Sequence, residues 1–306
     1  MADLRYTPRS RVKPESTYLQ EVRANVTSQA GEDGIIRRAF SMMGAANKWC
    51  VEFGAWDGRH LSNTWDLIVN RGWRGVLIEG DADRCRALRD GHAGAERVVA
   101  VDRFVGLRPP DDLDSILAKT PVPEDFDLLS IDVDGIDWHI WESLRRYRPR
   151  LVVIEFNQTI PNDVYFVQDA DAAVHQGNSL LALVELGRAK GYELLATTEI
   201  NAFFVLRELF PVFQIADNDI DAIHSPGDYE SRLFQLYDGT LVLAGCRTLL
   251  WAEKPIDDEA IQPLAPEARM FTDRTEAAVR RAREAPSPPP RAPTASPAPL
   301  RPPRPG

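Results

Sequence analysis

The chain has little cysteine, no long apolar run and none of the common nucleotide-loop signatures, and each absence removes a class of protein. Cys50, Cys85 and Cys246 are odd in number, far apart and outside any Cys-x-x-Cys or Cys/His spacing. That excludes a disulfide framework and a structural zinc site, and leaves reduced packing cysteines. No stretch approaches the roughly 20 apolar residues of a membrane-spanning helix. Residues 1–13 carry no apolar signal core. A cytoplasmic protein with no membrane partner is therefore expected, and the sequon matches at Asn25 and Asn157 are read as coincidence. Neither G-x-G-x-x-G nor G-K-[ST] occurs, which counts against dinucleotide-dependent dehydrogenases and P-loop NTPases. Basic residues are in deficit, 36 Lys and Arg against 46 Asp and Glu, for a net charge of −10. Such a body repels phosphate, so nucleic acid is not expected as a partner.

What is present suits one medium α/β domain with extensions: 306 residues, 44% hydrophobic and 27% charged. Residues 1–27 have no clear period and read as an irregular arm. The main domain is expected over 28–210, and a C-terminal extension packing near the active site over 211–284. A hairpin is expected there at LFQLYDGTLVLAG. Ten of the 23 prolines fall in 285–306, together with Arg291, Arg301 and Arg304. Proline lacks an amide proton and fixes φ, so this tail is expected to be disordered, with PxxP patterns that offer a partner a docking motif.

Within 28–210 short apolar runs alternate with amphipathic stretches. Strands are expected at 49–55, 75–81, 97–103, 127–135 and 150–157. Helices are expected from Ser28 to Gly44 and near 61–71, 82–91, 111–119, 137–147 and 179–191. Residues 192–209 read as two further strands around a turn. This alternation predicts an α/β fold: a Rossmann-like, mostly parallel seven-stranded sheet with helices on both faces and a terminal antiparallel hairpin.

Ligands bind such sheets beyond the carboxyl ends of the strands. Five strand ends here carry acids: Glu52, Glu79, Asp102, Asp132 with Asp134, and Glu155. Gathered on one edge, those carboxylates repel one another, so a purely structural origin is disfavoured. Gly54 and Gly58 bracket the first strand-to-helix turn, where a missing Cβ admits close backbone approach. Glu79, 25 residues after Gly54, stands where an acid can accept hydrogen bonds from both hydroxyls of a ribose. Asp102 is a candidate adenine contact or a turn cap.

The segments VEFGAWDGRHLSNT (51–64), GVLIEGD (75–81), DLLSIDVDGIDWHIWESL (127–144) and RLVVIEFN (150–157) together resemble the FkbM-type branch of S-adenosylmethionine (SAM)-dependent methyltransferases. SQAGEDG (28–34) also resembles a segment that precedes the first strand in relatives. The likeness covers about residues 28–209 and departs from the family at Trp56-Asp57, where an Asn-containing loop is more usual. It implies SAM as cofactor and methyl transfer to a hydroxyl of a sugar or natural product, a small-molecule or glycan acceptor. The cofactor-binding candidates are Gln29, Glu52, Gly54, Gly58, Asn63, Glu79, Gly80, Asp102 and Asp132.

Two mechanisms stay open. In one, Asp132, Glu155 and Asn157 hold Mg²⁺, which acidifies and orients the acceptor hydroxyl, with Asp134 as a further ligand or the base. In the other no metal binds, and Asp134 or His139 is the base. The catalytic candidates are thus Asp134, His139 and Glu155. His175 is placed at the substrate mouth, and Trp56 and Trp138 are candidates for an aromatic wall, with Trp141 read as core. A homodimer is carried as a partner expectation. Competing readings are a nucleotide-sugar or NAD-linked enzyme on the same sheet, and a non-catalytic interaction module using its tail.

Overall fold

The computed structural model describes residue 4 and residues 11–269; the expected tail at 285–306 lies outside the described residues. The chain divides into two compact units, Met1–Arg232 with Ala244–Cys246, and Leu233–Leu243 with Arg247–Gly306. Residues 28–210 fall wholly within the first.

Strands β1 (Trp49–Phe53), β2 (Arg74–Glu79), β3 (Val98–Asp102), β4 (Leu128–Ile131), β5 (Leu151–Glu155), β6 (Tyr192–Thr197) and β7 (Asn201–Leu206) form one sheet. The order is β3-β2-β1-β4-β5-β7-β6. The first five strands run parallel, and β7 runs antiparallel to both β5 and β6. This is the expected Rossmann-like, mostly parallel seven-stranded sheet, with the β6–β7 hairpin as its antiparallel end.

Alternation along the strands explains the two cores. In β1, Val51 and Phe53 face one cluster while Cys50 faces the other. In β5, Val152 and Ile154 are divided from Leu151 and Val153 in the same way. Helices α5 (Leu113–Leu117), α6 (Asp137–Ser143) and α7 (Leu180–Ala189) cover the first face through Leu113, Ile140, Trp141 and Leu183. Helices α2 (Glu32–Met43), α3 (Trp65–Arg71) and α4 (Ala82–Gly91) cover the second through Ile35, Phe40, Leu67 and Leu88. Trp141 is fully buried against Tyr192 and Phe204, so its place is the core.

Several boundaries move, for local reasons. The helix expected from residue 61 begins at Trp65, because Leu61 sits at φ +53° and Glu52 holds residues 62–64 in a loop. The helix expected over 137–147 ends at Ser143, where Leu144 turns extended. Helix α2 starts at Glu32, with Ser28 Oγ accepting from the Asp33 amide and the Asp33 carboxylate accepting from Val26, Thr27 and Ser28. The arm expected to be irregular contains a short helix, α1 (Pro14–Thr17), begun by a proline that needs no amide partner.

Beyond the sheet the chain carries short pieces. Strands β8 (Ser231–Gln235) and β9 (Leu241–Gly245) pair at the expected hairpin. Strands β10 (Thr248–Leu249) and β11 (Lys254–Pro255) form a second ribbon. No helix among the described residues is long and apolar enough to cross a membrane.

Candidate active site

Strand order reverses between β1 and β4, so the crevice at their carboxyl ends is where the fold offers room for a ligand. Gly54 stands at this point with φ +71°, and a Cβ on it would lie 2.0 Å from the Asp132 carbonyl oxygen. The close approach that requires glycine here is therefore to the protein's own β4 backbone. Gly58 (φ +76°) is likewise needed by the fold, since its Cβ would lie 2.8 Å from His92 Nε2. Three non-glycine residues at the same edge have left-handed backbone, Trp56 at φ +50°, Leu61 at +53° and Asp134 at +58°, the first two of types that seldom adopt it. Backbone held in such regions gathers at functional sites, where surrounding contacts over-determine it.

The acids sort into two groups. The first is satisfied by the chain. Glu52 accepts from Ser62 Oγ (2.6 Å), the Asn63 amide (2.8 Å) and Thr64 Oγ1 (2.7 Å), although burial pushes its carboxyl up. Asn63 in turn donates to Ser130 Oγ at 3.1 Å. Both residues shape the loop after β1. Asp137 accepts from the Val133 and Gly135 amides (2.9 and 2.8 Å) and sets the turn that carries Asp134. Glu79 is 5% exposed, with Oε2 accepting from the Trp56 amide and Oε1 from the Asp81 amide, both at 2.8 Å. Each of its oxygens keeps a second lone pair for a ligand hydroxyl.

The second group has no donor. Asp132, Asp134 and Glu155 bring one carboxylate oxygen each to within 4.8 Å of one another. Among the described residues no side chain or amide hydrogen-bonds these three carboxylates. Burial, then the neighbouring Asp137 and Asp134, pushes Asp132 up to about 8. Burial, then Asp132, pushes Glu155 up to about 9. Without a cation, burial and mutual repulsion both favour the protonated form of this pair. With one, the all-oxygen donor set suits a hard divalent ion such as Mg²⁺.

Other expected residues fall elsewhere. Asn157 is not a ligand: its Oδ1 accepts from the Thr159 amide (3.0 Å) and Thr159 Oγ1 (2.7 Å), and its Nδ2 donates to the Gln176 carbonyl (2.8 Å). Both lone pairs of that oxygen are taken. His139 is tied at Nε2, which lies 2.8 Å from the Gln168 carbonyl, a group that can only accept. The ring thus carries its proton on Nε2 and pins a loop. Gln29 is exposed and joins this region only through its carbonyl, which accepts from Asn25. Asp102 is 45% exposed and pairs with Arg89 at 3.5 Å, beyond the edge of the crevice. Gly80 is covered by the exposed Phe104 ring, which a Cβ would meet at 2.2 Å. Trp138 donates its indole N–H to the Ala182 carbonyl and is tied to α7, leaving Trp56 as the exposed indole at the crevice.

Some participants carried no signal in the sequence. Arg84, on the first turns of α4, places its guanidinium 3.6 Å from the Trp56 ring centre, a cation–π contact that fixes the indole. Segment 158–177 is ordered by Gln168, whose Oε1 accepts from the Gln176 and Gly177 amides, both at 2.9 Å. Asn178 Nδ2 reaches the Gly135 carbonyl at 2.7 Å, and His175 Nδ1 lies 3.2 Å from the Asp134 carbonyl. The segment therefore packs against the Asp134 turn, with His175 at the contact.

No family model and no curated protein matches this chain. Solved structures do. The N-terminal domain of EvdMO1 with SAH bound matches at 14% identity over 57% of this chain and 79% of that one, with a TM-score of 0.36. A SAM-dependent methyltransferase from Aquifex aeolicus matches at 10% identity over 61% and 95%, with a TM-score of 0.36. The CcbJ methyltransferase from Streptomyces caelestis matches at 13% identity over 57% and 94%, with a TM-score of 0.36.

Proposed function

We propose that the protein is a SAM-dependent methyltransferase of the FkbM type, transferring a methyl group to a hydroxyl of a small-molecule or glycan acceptor with help from Mg²⁺. The observation that carries this reading is the set of three converging carboxylates without a protein donor, Asp132, Asp134 and Glu155. They stand at the ends of β4 and β5, beside the glycine loop of β1 and the buried acid of β2. The FkbM-like segments over 28–209 support the same reading.

When bound, SAM supplies a methyl group on a cationic sulfur, and Mg²⁺ lowers the pKa of a coordinated hydroxyl. The chain's own residues do the rest. Glu79 accepts from the ribose hydroxyls, and its amide partners Trp56 and Asp81 keep it in place. Asp132 and Glu155 would hold the metal. Asp134, exposed at the crest of its turn, takes the acceptor's proton. The 158–177 segment, pinned at Gly135 and Asp134, limits access of water to that edge.

Calorimetry with SAM and S-adenosylhomocysteine (SAH), with and without Mg²⁺, tests the proposal. Micromolar binding is expected, with acceptor turnover lost on adding EDTA and restored by Mg²⁺. Absence of binding to either nucleoside in a folded sample overturns it, and EDTA-resistant turnover removes the metal.

A further inference from the structure

Among the described residues the two most exposed large hydrophobic side chains are Tyr237 (90%) and Trp251 (78%), both in the second unit. Each stands at the tip of a two-stranded ribbon. Tyr237 lies in the turn from β8 to β9, which the Leu236 amide closes on the Thr240 carbonyl at 2.9 Å. Trp251 lies in the short turn 250–252 between β10 and β11. Leu233 and Leu249 are exposed as well. A two-stranded ribbon is marginal by itself in water. This unit is held by polar stitches: the Gln262 carboxamide accepts from the Leu241 amide at 2.9 Å and donates to the Leu241 and Asp258 carbonyls at 2.8 Å. Its fold therefore gives no reason for aromatic rings on its surface.

Both tips are acidic. Asp238 follows Tyr237 directly, and Glu253 stands two residues after Trp251. Over 233–243 and 247–269 there are six acids against three bases, a net charge of −3. Two of those bases are already spent, Arg247 on Asp258 and Arg269 on Glu259. A ring beside an acid is the complement of a proline beside an arginine, because extended proline segments lie on aromatic surfaces and arginine pairs with carboxylates. The chain carries that complement itself. PRAP (290–293) and PLRP (299–302) each set an arginine within a Pro-x-x-Pro spacing, and 285–306 as a whole has three arginines and no acid. At about 3.1 Å per residue in polyproline form, such a segment spans about 70 Å, enough to reach both tips. The stretch from Arg269 to residue 285 extends to as much as about 50 Å. A second copy of the unit fits less well, since it would set one negative surface against another.

We infer that residues 285–306 dock on the ribbon tips of their own chain, with prolines against Tyr237 and Trp251 and arginines against Asp238 and Glu253. The contact is intramolecular, and tethering supplies an effective concentration in the millimolar range, so an intrinsic Kd of up to about 1 mM is enough to hold the tail. A partner that reads Pro-x-x-Pro must then displace the tail from its own unit before binding it. The inference makes no use of the methyl-transfer reading.

Fluorine NMR on the full chain labelled with 5-fluorotryptophan tests this, with Trp251→Phe identifying the Trp251 resonance. A full-length variant carrying Arg291→Glu, Arg301→Glu and Arg304→Glu leaves the described residues untouched. Its Trp251 resonance is expected to move away from that of the unmodified chain. Adding a synthetic peptide of residues 285–306 to this variant should restore the original resonance, with half-saturation at or below about 1 mM. The same peptide with its three arginines changed to glutamate should bind at least roughly tenfold more weakly, as replacing three surface ion pairs by repulsion requires. About 0.5 M NaCl should weaken the unmodified peptide too. A Trp251 resonance identical in the two full-length chains overturns the inference, as does absence of peptide binding up to about 5 mM. Sedimentation of the unmodified chain covers the other occupant. A dimer that Trp251→Ala abolishes and the charge-reversed tail preserves assigns the tips to a second copy and overturns the inference as well.

Discussion

Replacing Glu79 with glutamine probes the nucleoside end without emptying it. The carboxylate has four acceptor positions, and two are used by the Trp56 and Asp81 amides at 2.8 Å. Glu79→Ala would orphan both amides beneath a loop already held at φ +50° on Trp56. Loss of binding would then say little about the ligand. Glu79→Gln keeps the volume and one accepting oxygen but turns an N–H₂ toward the other side. One amide contact and one ribose hydrogen bond are lost. Hydrogen bonds to a charged group contribute about 1.5–3 kcal/mol each. At about 1.4 kcal/mol per decade, SAH affinity should fall roughly 10- to 100-fold. The lost amide contact should lower the melting temperature by a few degrees, so calorimetry and melting are read together. An SAH affinity within about twofold of the unmodified protein, in a folded variant, would remove Glu79 from the pocket and refute the reasoning.

Three further outcomes follow from buried groups and backbone. His224 titrates near 6.5 when unfolded and at about 4 in the fold, chiefly through burial. The unfolded chain thus binds more proton between those values, and stability should fall as pH drops through that window, by at most about 3 kcal/mol. Urea melts at both ends of the window should show this slope, and His224→Gln should flatten it; an unchanged slope rejects the assignment. Asp127 is fully buried, pairs with Arg150 at 2.6 Å and accepts from the amides of Ala46, Asn47 and Lys48. Asp127→Ala should cost about 3–5 kcal/mol in urea denaturation by stranding the guanidinium, and a loss under about 1 kcal/mol would contradict the geometry. Gly54→Ala should destabilise by more than about 2 kcal/mol, because strain at φ +71° adds to a Cβ 2.0 Å from the Asp132 carbonyl; a melting temperature equal to that of the unmodified protein would count against the β1–β4 approach.

The sheet was legible because period-2 alternation and strand–helix spacing are local signals. Val51, Phe53, Val152 and Ile154 sort to one face as their positions require. Sequence position alone marks which acids end strands, and Asp132, Asp134 and Glu155 stand together there. It cannot tell which acids find donors, because donors come from distant loops. Glu52 is taken up by residues 62–64, and Asn157 by Thr159 and Gln176. His139 was lost to a carbonyl 29 residues away.

The same distinction explains why the edge is acidic. A buried carboxylate is tolerated where amides or hydroxyls replace the water it leaves. Glu32 shows this: its carboxylate accepts from the Ala30 amide, Thr198 Oγ1 and Asn201 Nδ2. Asp33, Glu52, Glu79 and Asp137 follow the same rule. Asp132 and Glu155 break it side by side, and the resulting repulsion and desolvation are what raise them to about 8 and about 9. Apolar residues at these two positions would stabilise the fold more than two unpaired acids do. That penalty is the physical reason for testing a divalent cation at the cluster. The Glu79 end, by contrast, is satisfied by its own amide partners.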